Sequence, residues 1–560
     1  MFPLKVLSMS ELISSKTVIL YIWIAVINAV LLIYASHKYI LAFQQLGYRN
    51  RRYFNWLRKK NIHYSRLMLL SLLGLLFFLL LNVCFTSIVG ENYTVYMGFI
   101  SYLFFYFLYI NTERKTIEKM KLKVTKRIVR LGVVFVIIIT AFTFGVLLLS
   151  DLLAYLIKVE VFCILRYAIV CFIPLLIPHL LLLANVILLP FEILNNRRYI
   201  KRTKEKLEKA DIIKIGITGS YGKTTVKNIL TTLLSQKYRV LATPESYNTP
   251  LGIALTTKKL DSTHDVFIAE MGARQVGDIS DLATIVKPKY AILTGVNTQH
   301  LETFKTKENI IKTKFELFEN LPPDGVGFFS CDNQHSKEMF NDFKGEKYLA
   351  GVNSENSTVF AENIKVTPWG TNFDLNIAGK KVKGCHTNLL GEHNISNICL
   401  ASLVAYKLGV SLKDIGFGIN RLTTVKHRLE IVPNNHGVTI IDDSYNSNEN
   451  GFMAALSVLS SFEGRKIVLT PGLVELGLEE NIANYNFGIE LAKKADIVII
   501  IGSHNAEMLI SGLIDGGFLR SNIIFAKNLQ KGNLKLNEIM REGDVILFEN
   551  DLPDTYWRNT

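Results

Sequence analysis

The chain has 560 residues, 49% of them hydrophobic and 20% charged, with a formal net charge of +15. That length is too great for one ordinary domain and predicts three or four units; a mean hydropathy of +0.25 is too apolar for a uniformly soluble chain, so the excess must be concentrated in one region. The six cysteines (Cys84, Cys163, Cys171, Cys331, Cys385, Cys399) contain no CxxC pair, which excludes a zinc ribbon and a disulfide framework and gives the last three a reduced, cytoplasmic setting by default.

Residues 1–195 carry the apolar excess. Five runs approach the roughly 20 apolar residues that a bilayer span needs: Thr17–Ser36, Leu67–Val89, Val95–Ile110, Leu131–Leu149 and Tyr167–Leu189. Asp151–Cys163 is only partly apolar and reads as an outer loop or surface segment. Lysine and arginine crowd 38–66, 114–130 and 197–206, whereas Gly90–Thr94 and Asp151–Glu160 hold only Lys158. Basic loops stay on the cytoplasmic side, so the N-terminus is expected outside and everything after Asn195 in the cytoplasm. Against anionic headgroups each basic side chain contributes about 1 kcal/mol. Nucleic-acid binding is the rival explanation of the charge, and no base-stacking motif accompanies it. Pro174, Pro178 and His179 in the fifth run fit a proline-kinked helix or a polar point in a lipid-binding groove.

A basic linker, 196–210, leads to Ile213–Thr218, an apolar strand-like run followed at once by Gly219-Ser220-Tyr221-Gly222-Lys223-Thr224-Thr225 and then by helical spacing through Val226, Ile229, Leu230 and Leu233. Strand, glycine turn and helix start form a phosphate cradle. The glycines let backbone N–H groups face phosphate oxygens, and the helix adds its positive end. Lys223 would reach the β- and γ-phosphates of ATP and Thr224 would face Mg²⁺. The general pattern has glycine where Ile217 stands.

Downstream, the strand Val266–Glu270 ends in a carboxylate, and the strand Tyr290–Thr294 leads to Asn297-Thr298-Gln299-His300. Ligands gather beyond the carboxyl ends of parallel strands, so Thr224, Glu270 and His300 are a candidate Mg²⁺ shell, Mg²⁺ taking few protein ligands. Lys314 lies in a helical stretch and alone reads as a solvated lysine. Further strands at Val438–Ile441, Lys466–Thr470, Ile497–Ile501 and Val545–Phe548 alternate with helices. That alternation predicts two parallel α/β units, 211–425 and 426–560.

Taken together, TGSYGKTTVKN (218–228), EMGAR (270–274), NTQHLE (297–302), KFELF (314–318), GEHNISN (391–397), HR (427–428) and DDSYNSN (442–448) resemble the Mur ligase family of ATP-dependent amide-bond formers. Within it they are most similar to the branch that adds D-alanyl-D-alanine to a muramoyl tripeptide. The resemblance covers about Lys204 to the C-terminus. It implies a P-loop central domain and a Rossmann-like C-terminal domain behind an α-helical transmembrane region. Lys223, Lys314 and His300 become catalytic candidates; Gly219, Ser220, Tyr221, Gly222, Thr224 and Thr225 line the nucleotide; Asn394 is an adenine-side contact; Arg428 and Asp443 are nucleotide contacts from the C-terminal domain. Lys314 falls where several members carry a carbamylated lysine that supports a second Mg²⁺. Two departures stand out. The family's uridine-binding domain is replaced by the membrane block, and Leu473 stands where the family has an aspartate.

The expected function is therefore ATP-dependent ligation in cell-wall precursor synthesis through an acyl phosphate. Its acceptor is expected to be lipid-linked or met at the membrane, its donor an amino acid or a D-alanyl-D-alanine type amine, and its setting a multi-pass cell-membrane protein with cytoplasmic catalytic domains. A membrane-bound poly-γ-glutamate-type synthetase and a nucleotide-driven transporter or flippase are the alternatives.

Overall fold

The structure is a computed structural model. It describes residues 14–59, 121–157, 161–297, 301–352, 357–367, 369–433, 437–445, 449–474 and 476–550, with scattered positions between 69 and 111. The chain divides into two compact units, one ending at Asn195 and one running from Asn196 to Leu552.

Within the first unit the helices Ser15–Ala35, His37–Gln45, Asn50–Lys59 and Lys126–Ile157 are followed by the start of a long helix, Val161–Lys209. Ser15–Ala35, Lys126–Ile157 and the Leu175–Lys209 stretch are long and apolar enough to cross a membrane by length and composition. The apolar runs Leu67–Val89 and Val95–Ile110 lie largely outside the described residues. Ser15–Ala35 packs against Lys126–Ile157 through Ala29, Leu32, Leu131, Phe135 and Ile139, all buried. Two polar pairs join these helices: Asn28 Nδ2 donates to Thr143 Oγ1 at 3.0 Å, and the Tyr21 hydroxyl donates to the Asp151 carboxylate. A polar group in such a setting is costly unless it finds a partner. The helix continues to Ile157, which corrects the reading of the first part of Asp151–Cys163 as an outer loop; Asp151, 2% exposed, is bonded to Tyr21 inside the unit.

In the second unit, strands β1 (Ile213–Thr218), β2 (Val240–Ala242), β3 (Val266–Glu270), β4 (Tyr290–Leu293), β5 (Val326–Ser330), β6 (Glu346–Gly351), β7 (Val359–Thr367), β8 (Gly370–Ile377) and β9 (Lys380–Thr387) form one sheet in the order β2-β3-β1-β4-β5-β6-β7-β8-β9. Side chains alternate across it, as a period of two requires. Ile215, Ile217 and Ile268 pack with Val226, Leu230 and Leu233 of the helix Lys223–Leu234; Phe267, Ala269 and Leu293 face Ile279, Leu282, Leu317 and Phe318 on the other side.

The second sheet holds β10 (Glu430–Val432), β11 (Thr439–Asp443), β12 (Lys466–Thr470), β13 (Ile497–Ile501), β14 (Ile523–Ala526) and β15 (Val545–Glu549), ordered β10-β11-β15-β12-β13-β14. Neither sheet is wholly parallel, contrary to the sequence reading: β7-β8-β9 is an antiparallel meander and β10 runs antiparallel to β11. The β8–β9 turn places Ala378 and Gly379 at φ of 49° and 80°, two successive positive values that match a tight hairpin turn. The stretch 196–210, read as a linker, is helical through Lys209. Leu207 is fully buried there and the Lys206 ammonium donates to the Thr257 carbonyl at 2.8 Å.

Candidate active site

The cradle sits at the carboxyl ends of β1, β3 and β4. β1 lies between β3 and β4, with Ile217 opposite Glu270 on one side and Ile292 on the other. Ile217 is fully buried; it belongs to the strand, so the loop begins only at Gly219. Gly222 adopts φ 75° and a Cβ there would lie 2.9 Å from Asn397 Oδ1, which leaves glycine as the fitting residue. It also precedes the helix Lys223–Leu234, whose N-terminus no side chain caps. Uncapped N–H groups with the positive end of the helix macrodipole are an anion-binding arrangement.

Neighbouring loops hold the cradle in place. Ser220 N–H donates to the Gly295 carbonyl at 2.7 Å, Asn297 N–H donates to Ser220 Oγ at 3.1 Å, and the Thr294 hydroxyl donates to the Tyr221 carbonyl. The Lys223 ammonium folds back onto its own loop, donating to the carbonyls of Gly219 at 2.6 Å and Ser220 at 3.1 Å. Close packing around this half-buried side chain pushes its pKa down to about 8; Glu270 opposes the shift and the Arg428 charge adds to it.

Thr224 Oγ1 donates to Glu270 Oε2 at 3.0 Å. A hydroxyl and a carboxylate at this spacing are hard oxygen donors of the kind Mg²⁺ takes while keeping water and phosphate ligands. Thr224 and Glu270 therefore fit as its protein ligands. Glu270 has two further partners that the sequence reading did not assign. Lys227 pairs with Oε2 at 3.0 Å, with both side chains 2% exposed or less, and Asn248 Nδ2 donates to Oε1 at 3.2 Å. The signal for Lys227 was present. It stands between Val226 and Leu230 on the face that the helix buries, and a lysine there must find a carboxylate.

His300 lies outside the described residues. Lys314, read alone as a solvated lysine, is 3% exposed in the helix Lys307–Glu319. Burial, with the Lys223 cation as a second cause, pushes its pKa down to about 7. In CO₂-free buffer the folded state should refuse a proton that the unfolded chain holds up to its ordinary 10.5. The stability of the protein should therefore climb with pH between about 7 and 10.5, and Lys314→Met should flatten that climb in denaturant titrations.

The remaining predicted residues divide between two places. Asn394, buried at the start of the helix Glu392–Lys407, donates to the Leu390 carbonyl at 2.8 Å and accepts from Asn397 at 3.4 Å; Asn397 in turn abuts Gly222. Arg428 and Asp443 meet in the C-terminal part. Arg428 lies over the Tyr445 ring at 4.6 Å. Burial raises the Asp443 carboxyl to about 6 against the pull of Arg428. Asn297 Nδ2 donates to Asn450 Oδ1 at 3.2 Å, joining the cradle's neighbouring loop to the C-terminal part. Thr225 completes the first helical turn after the cradle.

A phosphate cradle at the carboxyl edge of one α/β sheet, with Arg428 before a second α/β sheet acting on Lys223 and Asp443 within that sheet beside Arg428, defines a nucleotide-binding enzyme of two α/β domains. Residues 217–405 match the Mur ligase middle domain and residues 427–549 match the Mur ligase glutamate ligase domain. The chain belongs to the Mur ligase family, a family of ATP-dependent ligases. It is 31% identical over 294 residues to the UDP-N-acetylmuramoyl-tripeptide--D-alanyl-D-alanine ligase of Escherichia coli, covering 52% of this chain and 65% of that one. The enzyme of the same name from Buchnera aphidicola (strain Bp) is 29% identical over 315 residues, covering 53% of this chain and 68% of its own. This chain thus spans about two thirds of the relatives it matches. Among solved structures, MurF from Acinetobacter baumannii superposes with a TM-score of 0.59 at 26% identity, covering 64% of this chain and 78% of its own.

Proposed function

We propose that the chain is an ATP-dependent peptide ligase of cell-wall precursor synthesis, held at a membrane by its first unit. The observation that carries this reading is the uncapped cradle with Lys223 folded over it and the Thr224–Glu270 pair beside it. The acceptor's carboxylate attacks the γ-phosphorus of ATP, giving an acyl phosphate and ADP. The incoming amine then attacks the acyl carbon, and phosphate leaves as the amide forms. The protein's part is positioning and charge neutralisation. Lys223 supplies a positive charge at the transferring phosphoryl group. Mg²⁺, held by Thr224 and Glu270 with His300 as a further ligand, would neutralise phosphate charge. Asn394 lies on the adenine side, and Arg428 and Asp443 close on the nucleotide from the C-terminal part.

Lys314 is proposed to carry a carbamate. Its depressed pKa provides the neutral amine that reacts with CO₂, and the product anion beside Lys223 would replace repulsion by attraction. Labelled bicarbonate should give a carbamate resonance that Lys314→Met abolishes.

The acceptor is proposed to be lipid-linked, a reading supported by three helices of the chain that are long and apolar enough to cross a membrane. The donor is a D-alanyl-D-alanine type amine, which the relatives' names support. The first unit is proposed to span the cell membrane with the N-terminus outside, leaving the catalytic part cytoplasmic. Full-length protein in vesicles should ligate the dipeptide to a lipid-linked muramoyl peptide faster than to its soluble UDP-linked counterpart. Equal or better use of the soluble acceptor would remove the lipid-linked part of the proposal.

A further inference from the structure

The first unit holds a polar cluster that the ligase chemistry does not use. The helix Asn50–Lys59 contributes Tyr53, fully buried, and Trp56, 9% exposed. Their rings stack at 5.8 Å, and Phe43 lies 4.3 Å from Tyr53 and 6.1 Å from Tyr48. The guanidinium of Arg127, in the first turn of Lys126–Ile157, sits over the Tyr48 ring at 4.0 Å. Asn185 joins from the long helix, donating to Asn50 Oδ1 at 2.7 Å and to the Tyr48 carbonyl at 3.3 Å.

Among the described residues, Tyr53 Oη, Trp56 Nε1 and Arg127 Nε have no hydrogen-bond partner, and neither has Asn185 Oδ1. Each buried unmet group carries a desolvation penalty that a ligand's acceptor oxygens would relieve, and three of the four are donors. The cluster also stands at the basic ends of the apolar helices, near Arg49, Arg51, Arg52, Lys123 and Lys126, while the carboxylate of Glu192, which faces Arg127, is paired with Arg130 at 2.6 Å. Phenol, indole and guanidinium donors at the end of apolar helices match headgroup depth.

We propose that this cluster binds the phosphate group of a membrane lipid, with Arg127 Nε, Tyr53 Oη and Trp56 Nε1 as the donors. The site deepens the membrane part of the proposed function and rests on that reading. Its lipid is the carrier of the acceptor or a bilayer phospholipid; both present the same phosphate oxygens. Arg127 supplies charge, and the two aromatic donors supply direction and exclude a ligand without acceptor oxygens.

The test is native mass spectrometry of the full chain in detergent, without ATP. It is titrated separately with a polyprenyl monophosphate, phosphatidylglycerol, phosphatidylcholine and inorganic phosphate. One saturable phosphate lipid per chain is expected. Arg127→Met should weaken it about tenfold or more, as loss of a charge-assisted hydrogen bond does. Tyr53→Phe and Trp56→Phe should each weaken it by about threefold to tenfold, while Arg51→Gln, an exposed charge, leaves it unchanged. Tyr53→Phe should leave Tm unchanged or higher, because it deletes an unmet buried hydroxyl. Tighter polyprenyl phosphate binding identifies the acceptor's carrier, and equal phosphatidylglycerol binding identifies a bilayer lipid. Binding indifferent to Arg127→Met and Tyr53→Phe, or lost equally with Arg51→Gln, would show surface charge only and overturn the site. So would inorganic phosphate binding as tightly as the lipids, or phosphatidylcholine matching the anionic lipids with no response to these variants. Binding that persists while the lipid-linked acceptor goes unligated would sink the acceptor assignment and leave the site standing.

Discussion

Lys223→Ala should lower kcat by about 10³-fold, the scale on which a preorganised charge at a transferring phosphoryl group contributes. The lysine has little else to do. It packs against its own loop, where its ammonium donates to Gly219 and Ser220, and its pKa of about 8 keeps it mostly cationic at neutral pH. The substitution removes two hydrogen bonds to backbone carbonyls, each worth about 1 kcal/mol, so the protein should stay folded with a modest fall in Tm. Steady-state ADP release measured beside a thermal melt separates the two effects. A variant that keeps kcat within tenfold would deny Lys223 its place at the phosphate.

Lys227→Met should cost far more stability than activity assays alone would reveal. Lys227 and Glu270 form an ion pair at 3.0 Å with side chains 1% and 2% exposed. Removing one partner leaves the other charge buried and uncompensated, a loss of about 3–5 kcal/mol. Lys227→Met combined with Glu270→Gln should recover much of that, because the unmatched charge disappears with its partner. Denaturant melts of the single and double variants measure the coupling. Additive losses would mean that the pair is not energetically linked.

The cradle was legible in the sequence because strand, glycines and helix start are local features and fall within thirteen residues. Glu270 was legible because it ends an apolar strand. Lys227 was not, although its place on the buried helix face marked it. Its partner is 43 residues away, and a motif reading assigns lysines to phosphate before it asks where their face points. Lys314 shows the same blindness: read alone it was a solvated side chain, whereas Leu317 and Phe318 in the same helix are packed into the sheet's core and the lysine is buried with them. The antiparallel β7-β8-β9 meander escaped because its strands alternate polar and half-buried positions, a weaker pattern than the continuous apolar runs of β3 and β13. Asp151–Cys163 read as a loop or surface segment because it is only partly apolar; Tyr21, which bonds the Asp151 carboxylate inside the unit, lies 130 residues earlier in the chain and is out of reach of a local reading.

The central claim is that this chain spends the terminal phosphoryl group of ATP on making an amide. Full-length protein in vesicles, given ATP, Mg²⁺, a lipid-linked muramoyl peptide and D-alanyl-D-alanine, should release one ADP for each new amide detected by product mass spectrometry, with both falling together when either the acceptor or the dipeptide is withheld. ADP release that continues at full rate without a new amide, whichever acceptor and amine are supplied, would contradict the account.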